Sequence, residues 1–132
     1  MKVAGALTAL AVAGAIAGVL AQAPAPTFKR NVLQQVDISV PGREAITALV
    51  EFQPNGTSGR HTHPGEEIGY ILEGTFLFEL EGKPPVTLKA GQTFFVPAGT
   101  IHNATNQGAG GKVLANYVVE KGKPLGTPAP AK

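Results

Sequence analysis

The chain has three histidines, and they fall in two short segments. The first reads His61-Thr62-His63-Pro64-Gly65-Glu66-Glu67. The second, Pro97-Ala98-Gly99-Thr100-Ile101-His102-Asn103, carries the last histidine. Neutral imidazole and ionised carboxylate are the usual protein ligands of first-row divalent metals. A chain that places no histidine elsewhere points to one site rather than to scattered surface residues. Glu66 and Glu67 both stand close enough in sequence to add a carboxylate. Three nitrogens and one oxygen suit Mn, Fe, Co, Ni, Cu or Zn, and spacing alone does not choose among them.

Such ligands need strands to aim them. His61 and His63 are two residues apart, so on an extended strand both rings face one side while Thr62 faces the other. Pro64-Gly65 is a turn that folds the chain back toward the run Ile68 to Leu72, which ends at Glu73-Gly74. Pro97-Ala98-Gly99 is a second turn, leading into a strand with His102, Ala104 and Asn106 on one face. The rest of the chain has the same period of two. Apolar residues alternate at Val36-Ile38-Val40, Ile46-Ala48-Val50-Phe52, Phe76-Phe78-Leu80, Val86-Leu88-Ala90 and Val113-Ala115-Tyr117-Val119. That is the pattern of half-buried strands. Pro41-Gly42, Pro54-Asn55-Gly56, Gly82-Lys83-Pro84-Pro85 and Gly108 to Gly111 interrupt it with turn residues. No helical period follows the N-terminal segment, so the expectation is an all-β domain of eight or more short strands: a sandwich, jelly roll or small barrel.

The ends read differently. Residues 1–23 have the form of a signal peptide, with Lys2 followed by an apolar Ala/Gly-rich run and a small-residue cleavage site after Ala21 or Ala23. The expected location is therefore periplasmic or secreted, without stable membrane insertion after cleavage. The alternative is tethering by an uncleaved N-terminal segment. No twin arginine is present, so export is expected through the general secretory route, with metal acquired outside the cytoplasm. Residues 24–33 read as a linker, 34–120 as the domain and 121–132 as a mobile Pro-rich tail. The formal charge of +2 becomes +1 without Lys2, and the basic residues are scattered, which speaks against a nucleic-acid partner. Absence of cysteine excludes a disulfide framework and a lipid-modified cysteine.

Both histidine segments resemble the cupin superfamily, in particular the small single-domain secreted cupins of the cupin 2 type. The first cupin motif is met by His61, His63, Glu67 and Gly74, and the second by Gly91, Pro97, Gly99, His102 and Asn106. One departure is Asn55, which stands where the family usually has glycine, with Gly56 next to it. The resemblance covers residues 44–119. It implies a cupin jelly-roll β-barrel, settles the choice of carboxylate on Glu67, and implies His61, His63, Glu67 and His102 as metal ligands.

The resemblance also implies the chemistry to expect: a metal-dependent oxidoreductase, dioxygenase-like, acting on a small organic substrate, with Glu67 able to serve as base. The alternatives are a non-catalytic metal- or ligand-binding cupin, acting as carrier or sensor, and a cupin isomerase. Phe76, Phe78, Phe94 and Val96 read as core, and the three phenylalanines also as a wall facing the substrate. Asn106 is a further pocket candidate. Tyr70 is a weaker one, because alternation from Glu67 puts it on the opposite face. Arg60, just before the ligand strand, is where a cation would steer an anionic substrate. A homodimer is expected, since small jelly rolls leave sheet edges to cover.

Overall fold

Ten strands account for the regular structure. In chain order they are β1 (Phe28–Asp37), β2 (Arg43–Phe52), β3 (His61–Thr62), β4 (Gly65–Glu73), β5 (Thr75–Leu80), β6 (Val86–Lys89), β7 (Thr93–Val96), β8 (His102–Asn106), β9 (Gly111–Glu120) and β10 (Thr127–Pro128). The structure is a computed structural model and describes residues 27–130. The signal segment and the first residues of the linker lie outside the described residues. No helix occurs among the described residues.

The strands form two five-stranded sheets, in the orders β1-β2-β9-β4-β7 and β10-β3-β8-β5-β6. All pairings are antiparallel, and crossovers place sequence-distant strands side by side, as in a jelly roll. Register follows the alternation read from the sequence. Ile46, Ala48, Val50 and Phe52 of β2 sit opposite Tyr117, Ala115, Val113 and Gly111 of β9. These residues, apart from Gly111, are buried. Phe76, Phe78 and Leu80 of β5 close the core from the second sheet, and Phe52 meets Phe76 edge-on at 5.0 Å between ring centres. A one-residue slip would turn every one of these side chains outward, which is why the pattern fixes the register.

Two sequence expectations change at the ends. Residues 28–33, read as linker, are the first half of β1, whose Phe28-to-Val32 pairing with Phe52-to-Ala48 is regular. A shift between Val32 and Gln34 then breaks the alternation, and the remaining residues of β1 are exposed. The run Val36-Ile38-Val40, expected as a strand, ends at Asp37 because residues 38–42 turn the chain into β2. At the other end, the tail is not free. Its β10 pairs with β3, Thr127 opposite Thr62 and Pro128 opposite His61. Ala129 N–H donates to Arg60 O at 2.9 Å. The polyproline character hid this, because the tail is held through its backbone rather than by an alternating apolar face.

Candidate metal centre

The site is assembled where the two sheets face each other at one end of the barrel. β3 supplies His61, and His63 follows it directly. β8 begins with His102, which lies opposite His61 in the ladder. β4 supplies the carboxylate. Its odd-numbered residues Gly65, Glu67, Gly69 and Ile71 point inward and its even-numbered residues point out. Glu67 is thus buried, whereas Glu66 is on the outer face within 3.9 Å of Arg43 Nη1.

One nitrogen from each of His61, His63 and His102 lies within 4.8 Å of the other two. His61 Nε2 is 3.2 Å from His63 Nε2. Glu67 Oε2 is 3.1 Å from His63 Nε2 and 3.0 Å from His102 Nε2. The opposite edge of every ring is tied to a backbone carbonyl. His61 Nδ1 donates to Gly59 O at 2.7 Å, and His102 Nδ1 to Thr100 O at 3.0 Å. His63 Nδ1 donates to Leu125 O in the tail. A carbonyl only accepts, so each Nδ1 carries a hydrogen, and in the neutral ring that binds a metal Nε2 is left with a lone pair. Three lone pairs and a carboxylate oxygen therefore face one another in a buried place. Such a donor set repels itself unless a cation lies among its members, and it fits a divalent transition metal. The carbonyl contacts are the outer hydrogen bonds that orient histidine ligands at metal sites.

The electrostatics agree. Burial pushes the His61 ring down to about 4, and the neighbouring His102 and His63 add to the fall. The ring is therefore neutral at pH 7, as a ligand must be. Burial alone would raise Glu67, but the hydrogen bonds that Nε2 of His102 and of His63 donate when no metal occupies them outweigh it and hold the carboxyl at about 2. Glu67 is ionised at any physiological pH. Burial, followed by the Glu67 charge, pushes the Tyr117 phenol well above its usual range, so it stays protonated.

Beside the four polar groups lies a small cavity of about 30 Å³, open to solvent at its mouth and walled chiefly by Phe28, Val50, Phe52, Phe78 and Phe94. Phe78 and Phe94 pack with their rings tilted by 30° and their centres 4.6 Å apart. The tip of the Phe94 ring lies against Gly69, where a Cβ would come to 2.1 Å from Cζ. Phe76 is in the core beneath, packed on Phe52, and does not line the cavity. Asn106 is buried away from it: Gly110 N–H donates to its Oδ1 at 2.8 Å, and its Nδ2 donates to Thr75 O at 3.3 Å. It ties two turns together through these two backbone groups. Tyr70 is exposed on the outer face, as the alternation along β4 requires, and lines no part of the cavity. Arg60 turns away to Glu81, at 3.6 Å, and to Pro130 O, at 3.0 Å.

Several cavity residues were not anticipated, among them Phe28, Arg30 and Tyr117. Arg30 was hidden in the supposed linker. The signal that could have found it is the short alternation Phe28-Arg30-Val32, which the break after Val32 cuts off.

Comparison with known proteins agrees with the fold. A family model described as a cupin domain matches residues 48–120. The HTH-type transcriptional regulator PuuR of Escherichia coli (strain K12) is 37% identical over 71 residues, 53% of this chain and 38% of the regulator. Oxalate oxidase 2 of Hordeum vulgare is 34% identical over 117 residues, 70% of this chain and 51% of the oxidase. The chain thus spans about half, or less, of the length of these curated relatives. Among solved structures, KdgF from Halomonas sp. superposes with a TM-score of 0.61 at 24% identity, over 76% of this chain and 86% of KdgF. At that identity the likeness is one of fold.

Proposed function

The chain belongs to the cupin domain family, and on that premise we propose that it is an exported metal-dependent oxidoreductase, dioxygenase-like, acting on a small organic molecule. The observation that carries this reading is the convergence of the three imidazole Nε2 atoms and the Glu67 carboxylate beside a small, open, apolar-walled cavity. His61, His63, Glu67 and His102 would hold the ion. When bound, such an ion supplies Lewis-acid or redox chemistry toward a coordinating substrate. The chain's own contribution is positional. Carbonyls of Gly59, Leu125 and Thr100 lock the three rings. Phe78 and Phe94 exclude water from one side and give an aromatic or aliphatic skeleton a flat surface. Glu67, ionised at neutral pH, is able to accept a substrate proton.

The match to oxalate oxidase supports turnover, and the match to a transcriptional regulator supports a second reading, a metal- and ligand-binding cupin without turnover. One experiment separates them. Metal is quantified by mass spectrometry on the purified domain, and oxygen consumption is followed with flavonols, catechols, diketones and oxalate. Turnover that depends on stoichiometric metal supports the oxidoreductase. Stoichiometric metal with tight binding of one ligand and no turnover supports the second reading. An unchanged metal content in the His61→Ala, His102→Ala double variant would sink the site itself.

We also propose a homodimer through the outer face of β4 and β7, where Ile68, Tyr70, Leu72 and Phe95 are exposed.

A further inference from the structure

Arg30 differs from the other arginines of the fold. Arg43 lies within 3.9 Å of Glu66, and Arg60 within 3.6 Å of Glu81. Arg30 alone of the three makes no ion pair among the described residues; its Nε is buried without a hydrogen-bond partner, as is Nη1 of Arg43, which at least faces a carboxylate. Its register explains why it faces inward: it sits opposite Val50, a core residue of β2. Two aromatic rings hold the guanidinium, Tyr117 at 5.6 Å and Phe28 at 5.7 Å from their centres. Stacking of this kind orients a cation without neutralising it.

The guanidinium also borders the cavity that contains His61, Glu67 and His102. It is close to the histidines. A side chain at Gly126 would meet His61 Cδ2 at 3.9 Å and Arg30 Nη1 at 4.0 Å, so both groups flank one point of the tail. The carboxylate on that cavity wall, Glu67, is engaged by His63 and His102. A half-buried guanidinium facing an apolar cavity, oriented but without an anion, lacks a partner that a ligand can bring. Its planar fork matches a carboxylate.

We infer that Arg30 anchors the carboxylate of a small organic acid, whose remaining part lies along the Phe78–Phe94 wall with its reactive group toward the three histidines. This deepens the proposed function by naming the substrate class, and the position of that reactive group rests on that reading. Arg30 is then a binding and specificity residue.

The test uses two matched pairs, benzoate against benzamide and propionate against propionamide. Each is titrated by calorimetry into the full mature chain, zinc-loaded and metal-free. The wild type is expected to bind at least one acid about tenfold more tightly than its amide, in both forms. Arg30→Gln is expected to abolish that preference with zinc content unchanged. Arg30→Lys, which keeps the charge but not the fork, should weaken acid binding about fivefold. If the glutamine variant does not fold, the lysine variant decides. The inference is overturned by equal binding of acid and amide to wild type, by a preference that survives Arg30→Gln, or by unchanged binding in Arg30→Lys. A preference that needs zinc and ignores Arg30 places the anion on the metal and overturns the anchor alone. A protein that binds no zinc but keeps an Arg30-dependent preference sinks the metal reading and leaves the anchor standing.

Discussion

At the scale of single residues, hydrogen-bond direction decides most of the site. His61, His63 and His102 each commit Nδ1–H to a carbonyl, which leaves the three Nε2 atoms facing one another at close range, open to a metal or a proton. The cost of that arrangement in the metal-free protein depends on pH. The folded-state value of His61 is about 4 against an ordinary 6.5, and that of Glu67 is about 2 against 4.5. Both are depressed, so the unfolded chain binds more protons as pH falls. The contribution of His61 is complete above 6.5 and is lost as pH falls toward 4. That of Glu67 is complete above 4.5 and is lost as pH falls toward 2. Urea denaturation of the chelator-treated protein should therefore show a midpoint that drops across both windows. His61→Gln should flatten the upper one. Equal midpoints at neutral and mildly acid pH would contradict this account. The shared face of His61 and His63 was legible in the sequence because i, i+2 spacing is a local property, whereas the choice of Glu67 over Glu66 came from the cupin resemblance and the inward side of β4 had to be seen in the structure. Arg30 was not legible, since its inward direction depends on pairing with Val50, twenty positions away.

At the scale of elements, the tail and β4 carry functions that composition did not suggest. β10 is only two residues long, yet the segment before it brings Leu125 O to His63. Loss of an outer hydrogen bond to a metal-bound histidine typically weakens metal affinity about 10- to 100-fold. Truncation after Lys123 should do the same here while the barrel folds, because the core strands lie between β2 and β9. A competition titration with a chromogenic chelator would measure it, and unchanged affinity would reduce the tail to a covering. The sequence marked this segment as Pro-rich and mobile because backbone pairing leaves no side-chain pattern to read. β4 makes a different demand. Gly69 gives Phe94 room to lie against the strand, and a Cβ there would overlap three ring atoms within 2.7 Å. Gly69→Ala should push Phe94 toward Phe78, narrow the cavity and destabilise the fold by about 1–3 kcal/mol through overpacking. Thermal denaturation checks the size of the effect. An additional Phe94→Ala should relieve part of it, and failure to do so would show that the glycine acts through the backbone alone.

At the scale of the molecule, the barrel and its ion are coupled. A metal that binds only the folded state at a hundred times its dissociation constant adds about 2.7 kcal/mol. For a domain of this size that is a rise on the order of 10 °C in melting temperature. Chelation should reverse it in wild type and change little in the His61→Ala, His102→Ala variant. The outer surface makes a second demand. Ile68 and Phe95 are paired across β4 and β7, and both are about half exposed, at 49% and 54%. Tyr70 and Leu72 extend the same face along β4, at 42% and 41%. β7 is also an edge strand of its sheet, with unpaired backbone groups beside these side chains. An apolar stripe continuous with an open edge is suited to a second copy of the same stripe, since a two-fold contact covers both at once. Sedimentation velocity on the mature chain should then show a dimer. Ile68→Glu combined with Phe95→Glu should yield a monomer that keeps its metal, because both side chains point away from the site. A wild-type chain that sediments as a monomer at all concentrations would refute the interface, and a double variant that remains dimeric would move it to the other edge, β1.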